Sequence, residues 1–381
     1  MQAKKTLLAI ALGTATLGAS AYQTEYGNIY ADVKVRYESN DSDNALDTAT
    51  GLITDAAIGF ESKDYEGFKA LVEYEIVEPI IDDYNAFGSN PEYNVIADPE
   101  TREWNRAQIS YSKDGVGAVV GRQRIILDDS RFVGNVGWRA NEVTFDAVTA
   151  TYKKDGLSVF AGFIDQRNFL NGTDQDQSDL LLNVGYKIGT GKLSGFAYML
   201  ENDDTEATRD TYGVRYAGSS MAGDTKVIYS GSFATQKAES GAGEADATYL
   251  ALEAGAVVSG VTLALGNETL GSDDGNYGFT FDYGTNHKFN GWADKFLGTP
   301  AVGLSDTYVK AAGKAGGVKL VGFYHTFSAV EGGDDLGSEL DLLAVKKLDD
   351  TFTVGAKAAF YTAGDTGVDT TKMWAWVQAK F

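Results

Sequence analysis

Between Gly27 and Phe381 apolar and polar residues alternate with period two over one short segment after another. Within 31–38, Ala31, Val33, Val35 and Tyr37 share one side of an extended chain, and Asp32, Lys34, Arg36 and Glu38 share the other. Phe68, Ala70, Val72, Tyr74 and Ile76 alternate in the same way with Lys69, Glu73 and Glu75. Leu180, Leu182, Val184, Tyr186 and Ile188 alternate with Asp179, Asn183 and Lys187, and Phe352, Val354, Ala356, Ala358 and Phe360 with Thr353, Lys357 and Tyr361. A helix repeats every 3.6 residues and would scatter both classes around its circumference. The pattern is that of strands with one apolar and one polar face.

Eighteen such segments are predicted, at 27–39, 50–62, 67–78, 102–112, 116–124, 142–153, 157–167, 178–188, 192–202, 209–218, 224–237, 246–258, 260–270, 304–315, 317–329, 337–348, 351–362 and 371–381. Segments 116–124, 157–167 and 337–348 have mixed faces, so periodicity leaves their register open. Eight short connections, such as Lys113-Asp114-Gly115, Lys154-Asp155-Gly156 and Gly189-Thr190-Gly191, take turns with nine longer, acidic, Asn- and Gly-bearing ones. A soluble β-domain has no reason to make every second connection short. A barrel standing in a membrane does, because its two rims face different compartments. The expected fold is all-β: a transmembrane, up-and-down antiparallel barrel of about 18 strands with short periplasmic turns and longer extracellular loops. An even strand number returns both termini to one side, here the periplasm. Proline lacks the ladder donor, and Pro79, Pro91, Pro99 and Pro300 all fall in long connections of this scheme.

Composition agrees. Gly 45 and Tyr 21 against Pro 4 and Met 4 suit β-structure with many turns. Lys4-Lys5, an apolar run from Leu7 to Leu17 and Ala19-Ser20-Ala21 resemble a cleaved secretory signal over 1–21, leaving a single barrel domain over 22–381. Removing two lysines and no acid leaves 30 basic against 54 acidic residues, a net charge of −24. Such acidity excludes nucleic acid as a partner, since no basic stripe exists to neutralise phosphates. Zero cysteines suit an envelope protein without disulfides.

A barrel of this size leaves an aqueous channel unless loops or a plug fill it. The predicted inward face carries Lys34, Arg36, Arg102, Arg106, Arg122, Arg124, Arg215 and Lys357, with Asp32, Glu73, Glu75 and Glu253. Opposed arginines and carboxylates make a narrow, charge-selective throat, or else a set of structural ion pairs; Asp128 and Asp129 are close enough in sequence to partner Arg122, Arg124, Arg131 and Arg139. Two connections are aromatic. One, 125–141, holds Phe132, Val133, Val136 and Trp138; the other, 271–303, holds Phe279, Phe281, Tyr283, Phe289, Trp292, Asp294, Lys295, Phe296 and Leu297. Loops in water have no use for so many large apolar groups, so both are expected to fold into the lumen as a constriction, with packing on a neighbouring protomer as the alternative.

These blocks carry a resemblance. Gly121-Arg122-Gln123-Arg124, Arg131-Phe132-Val133-Gly134-Asn135-Val136-Gly137-Trp138-Arg139 and Asn141-Glu142 resemble the alginate export family of bacterial outer-membrane barrels, as does His287-Lys288-Phe289-Asn290-Gly291-Trp292-Ala293-Asp294-Lys295-Phe296-Leu297. The resemblance implies an eighteen-stranded pore in the Gram-negative outer membrane, passing anionic solutes such as acidic sugars past lumen arginines. The chain is shorter than an alginate exporter and its lumen is mixed in sign. A general-diffusion porin is therefore the second reading, and a closed barrel acting as hydrolase or adhesin the third.

No catalytic role is expected. Only His287 and His325 exist, and nothing flags a nucleophile beside either. No cofactor or metal is expected: the acidic run Asp174-Gln175-Asp176-Gln177-Ser178-Asp179 and Asp273-Asp274 lack the full Ca²⁺ loop pattern. Expected partners are an anionic solute, outer-membrane lipid and lipopolysaccharide, and the barrel-assembly machinery through the final strand ending at Phe381. No oligomeric state follows from the pattern.

Overall fold

The computed structural model describes residues 22–241 and 243–381. The expected leader at 1–21 lies outside the described residues. Eighteen antiparallel strands form one closed barrel: β1 Gly27–Ser42, β2 Ala49–Ser62, β3 Phe68–Asp83, β4 Thr101–Lys113, β5 Val116–Gln123, β6 Thr144–Lys154, β7 Leu157–Asn168, β8 Asp174–Ile188 and β9 Gly191–Asn202. The series continues through β10 Ala207–Ala222, β11 Thr225–Ser240, β12 Gly243–Val258, β13 Val261–Leu270, β14 Leu304–Ala315, β15 Val318–Ser328, β16 Asp335–Lys347, β17 Phe352–Thr362 and β18 Thr370–Lys380. Each strand pairs with its sequence neighbours, and β1 closes the ring by pairing with both β2 and β18. Closure removes the free edges that would otherwise expose backbone donors and acceptors. Every predicted segment is a strand. The one helical turn among the described residues is Asn286–Lys288.

Most even-numbered strands end in two-residue turns, and the long connections all follow odd-numbered strands. Asp114-Gly115 and Asp155-Gly156 both have positive φ at each residue, the conformation a two-residue hairpin needs to match strand twist. Most strands run past their predicted ends on the long-loop side, so the expected longer link near 238–245 shrinks: Ser240 pairs directly with Gly243. Proline placement also differs from expectation. Pro79 lies within β3, opposite Ile53, where the register shifts and Ile80 is left over as a bulge. A bulge is one of the few strand positions that tolerates a missing N–H.

The outward face is an apolar belt that includes Val72, Ile109, Val148, Leu182, Val214, Leu252, Leu265, Val309, Leu342 and Val377, all exposed. Large exposed apolar side chains on every strand are what a lipid-facing wall requires. Inside, three long connections fold into the lumen: 84–100 after β3, 124–143 after β5 and 271–303 after β13. The last two meet each other, through a bridge between Val133 and Tyr283 and a hydrogen bond from Gly134 N to Tyr283 O of 2.7 Å. The apolar core of the molecule sits here, between loops and wall.

Candidate functional site: the loop-filled lumen

Two arcs of the inner wall hold these loops by different means. On β1, β3, β4 and β16–β18 the means is charge. Arg36 and Glu38 point inward one residue apart on β1, because alternation returns every second side chain to the same face. Arg36 binds Asp98 of the 84–100 loop and donates to Trp138 O at 2.5 Å. Arg139 of the 124–143 loop reaches both oxygens of Glu38 at 3.0 Å, Asp98 at 3.3 Å and Asp294 of the 271–303 loop at 3.0 Å. Three loops and the wall are thus tied at one knot. Burial opposes ionisation of Asp98, but Arg36, Arg139 and the Ala140 N–H outweigh it and hold the carboxyl below its ordinary range. Asp294 is held well below that range, against burial, by His287, Lys372 and Arg139. Arg139 is itself pushed up, because Glu38, Asp98 and Asp294 outweigh its burial.

Beside the knot, His287 is clamped between Asp294 at Nδ1 and Lys357 at Nε2. Burial pushes this imidazole down to about 3, against the opposing pull of Asp294. A neutral ring donating from Nδ1 and accepting at Nε2 satisfies both partners. Trp138 stacks on His287 with centroids 5.2 Å apart, and the Lys357 ammonium lies 4.1 Å from the rings of Trp138 and Trp292. Trp292 also meets Phe323, and Phe296 meets Phe327 at 4.6 Å. Lys295 donates to Thr370 Oγ1 at 3.1 Å; burial and nearby Lys372 push its ammonium down.

From β6 to β12 the means is aromatic packing. Phe145, Ile164, Leu181, Phe196, Tyr198 and Tyr249 point inward and are buried. Phe132 sits at their centre, within 4.6–6.3 Å of Phe196, Tyr198, Tyr249, Phe279 and Phe281. Arg131 crosses this arc, bonding Glu268 at 2.6 Å and Asn290 at 2.6 Å, with its guanidinium 3.8 Å from the Phe281 ring and 4.7 Å from Phe289. Polar side chains share the inner face of this stretch, and the loops satisfy them: Asn183 and Ser194 bond Asp128, and Gln236 donates to Thr280 O.

The structure sorts the expected selectivity residues. Arg36, Arg131 and Arg139 are buried in ion pairs. Arg106 and Arg124 do face the lumen, where Arg106 bonds Glu73 at 2.6 Å and Arg124 bonds Glu142. Arg122 does not. It shares the face of Val120, which is 53% exposed, and pairs with Asp146 at 2.8 Å on the outer wall. Gln123 turns inward in its place, bonding Thr149 at 2.9 Å. Arg102 faces out as well. Asn105 is an extra residue between Arg106, opposite Glu73, and Trp104, opposite Tyr74, so alternation reverses there. Arg102 then pairs with Glu78 and Glu100, each at 2.7 Å. Asp128 and Asp129 serve other partners than expected. Asp128 bonds Lys192 at 3.1 Å and Asn183 at 2.7 Å, and is held below its ordinary range by them against burial; Asp129 bonds Arg215 at 3.0 Å.

Open space remains on both sides of the packed zone. One cavity of about 410 Å³ is bounded by Tyr30, Lys34, Asp55, Glu75, Arg106 and Arg124. Another of about 680 Å³ is bounded by Arg167, Gln175, Arg209, Glu239, Asp282 and Tyr283. Between the loops lies a smaller one of about 230 Å³, reached by Val136, Arg139, Arg167, Asn286 and His287. Asp98, Glu38, Glu142 and Arg167 are lumen groups that sequence reasoning did not single out. Glu38 was legible from its phase with Arg36; the others depend on loop paths and bulges.

Neither histidine belongs to a catalytic pair with a hydroxyl. His325 Nδ1 contacts Asp306 at 2.9 Å, and its Nε2 lies 3.8 Å from Asp341.

No family model matches the chain, and no curated protein sequence does. Solved structures do. OccAB4 of Acinetobacter baumannii superposes with a TM-score of 0.73 at 14% identity, covering 94% of this chain and 99% of that one. For OccK9 (OpdG) of Pseudomonas aeruginosa the TM-score is 0.74 at 12% identity, covering 95% and 100%. For OccK1 (OpdK) of the same organism it is 0.71 at 15%, covering 93% and 98%. The chain has their fold. It is the closed eighteen-stranded antiparallel barrel of the Occ porin structures. The resemblance to the alginate export family finds no support among these likenesses.

Proposed function

We propose that the chain is an outer-membrane channel that passes small anionic solutes by diffusion. The observation that carries this reading is a barrel with a lipid-facing belt whose lumen is narrowed by three inward loops yet keeps cavities of about 410 and 680 Å³ on either side. An apolar outer belt has no use outside a membrane, and a structured constriction inside a barrel makes passage selective rather than free. The likeness to Occ porins supports the channel reading, and the lumen groups Arg106, Arg124 and Arg209 support the sign of the solute. Acidic sugars, including uronates, are the finer candidate class. In this reading both termini lie in the periplasm, the strand ending at Phe381 is presented to the assembly machinery, and the acidic outer loops meet lipopolysaccharide through divalent ions.

Purified, refolded protein in a planar bilayer tests it. A channel gives discrete conductance steps, a reversal potential of anionic sign in a KCl gradient, and current block on adding galacturonate. Absence of any conductance would sink the channel reading. Conductance without ion preference or block would favour the general-diffusion porin.

A further inference from the structure

Four buried carboxyls on the wall face the 271–303 loop: Glu268 on β13, Asp306 on β14, and Glu339 and Asp341 on β16. The first two have basic partners, Arg131 at 2.6 Å from Glu268 and His325 at 2.9 Å from Asp306. The other two differ. Among the described residues Glu339 has no ion pair, and the one base within ion-pair reach of Asp341 is His325, whose Nε2 lies 3.8 Å away.

Both carboxyls meet the loop backbone. Ala293 N donates to Glu339 Oε1 at 2.7 Å, and Trp292 N to Asp341 Oδ2 at 3.2 Å. Alternation makes this possible, since residues two apart on a strand present their side chains to one face. Gly291 completes the seat. It has a φ of +85°, and a Cβ there would lie 2.7 Å from Glu339 Cδ, so the backbone comes closer to the carboxyl than a side chain allows.

Each carboxyl thus gives one oxygen to the segment that carries Trp292. The other oxygens, Glu339 Oε2 and Asp341 Oδ1, are buried without a hydrogen-bond partner, although the two carboxyls lie within hydrogen-bonding reach of each other. Two ionised carboxylates cannot satisfy one another, because both only accept, and like charges in contact oppose ionisation. One proton between the uncommitted oxygens makes one carboxyl a donor to the other and removes one buried charge.

We infer that Glu339 and Asp341 share one proton and, as a singly charged pair, are the positioning residues that hold the constriction loop against the wall at Trp292. Loss of that proton as pH rises sets two negative charges in contact. Their repulsion parts the carboxyls, and with them the acceptors of Trp292 N and Ala293 N. The groups facing the pair are His325 from β15, with Asp306 beyond it, Lys357 and Tyr361 from β17, and Asp294 and Lys295 from the loop. None of them hydrogen-bonds to the two uncommitted oxygens. The inference rests on the channel reading for its effect on current, and not for the proton itself.

Infrared spectra and planar-bilayer recordings of the wild type, Asp341→Asn and Glu339→Gln, each taken from pH 6 to pH 10, test it. Slow migration of unheated protein on SDS gels verifies that each variant has folded. In either variant an amide N–H takes the place of the shared proton. The expected infrared result is a C=O band of a protonated carboxylic acid in the wild type that is lost as pH rises and is missing from both variants at every pH. A wild type whose spectrum matches that of a folded variant, or that has no such band, overturns the shared proton. In bilayers the wild-type current should be steady at low pH and fluctuate as pH rises, and Asp341→Asn should lose this response. Gly291→Ala, which drives the loop off Glu339, should fluctuate at every pH. Identical pH responses in the wild type and Asp341→Asn, or a wild type with none, overturn the positioning role. If Asp341→Asn does not fold, Glu339→Gln decides by the same two readouts. A wild type without conductance overturns the channel reading instead, and the infrared titration still decides the proton.

Discussion

The two arcs of the inner wall use the same alternating strands and reach opposite solutions. On the β1–β4 and β16–β18 side, a loop is fastened by buried charges that meet in one knot around Arg139. On the β6–β12 side, another stretch of loop is fastened by rings gathered around Phe132. The difference teaches that the inside of a barrel is not polar by rule. Where a loop replaces water, the wall meets it either with apolar side chains, which gain by burial against one another, or with buried charges that each have a partner.

The largest test of this contrast is Arg139→Met. It leaves Glu38, Asp98 and Asp294 buried without their shared cation, and breaking a buried pair this way costs about 3–5 kcal/mol. Urea unfolding of the detergent-folded barrel should show that loss. A loss no greater than that of an exposed pair would mean the knot does not hold the loops. Phe132→Ala attacks the other arc and should cost about 3 kcal/mol through lost packing. Its effect should be equal at pH 7 and pH 5, because no titratable group is involved; a pH-dependent effect would blur the distinction between the arcs.

Acid provides the third test. His287 titrates at 6.5 in an ordinary setting but at about 3 here, so below 6.5 the unfolded chain takes a proton that the folded chain refuses. Stability contributed by this depressed imidazole is present above 6.5 and falls as pH drops towards 3, by up to about 1.4 kcal/mol per pH unit. Asp98 and Asp294, held low, add their own loss only as pH falls below the ordinary carboxylate range. Melting curves of the wild type and His287→Asn between pH 7 and 5 should differ in slope, with the variant flatter; parallel curves would contradict the buried neutral ring. The smallest effect belongs to Arg122→Ala on the outer wall. Its partly exposed pair with Asp146 is worth less than about 1 kcal/mol, and removing it should leave ion preference unchanged in bilayers.

Much of the site was legible and some was not, for identifiable reasons. Arg36 and Arg106 followed from alternation. The inward folding of the loops followed from Phe132, Trp138, Phe279, Phe281 and Trp292, which are too many rings to leave in water. Arg102, Arg122 and Arg167 were misplaced or overlooked. Single extra residues at Asn105 and Asp165 reverse the faces of Arg102 and Arg167, and a bulge is set by pairing across strands rather than by any local signal. Arg122 belonged to a segment whose two faces are almost equally apolar, so its phase had nothing to fix it.

Alternation, turn chemistry and the apolar belt by themselves determined a closed barrel of eighteen strands, because those are local properties that repeat in every hairpin. Which arginines face the lumen was decided only by the tertiary structure. Register across a bulge and the path of three long loops depend on residues far apart in the chain, and no local period records them.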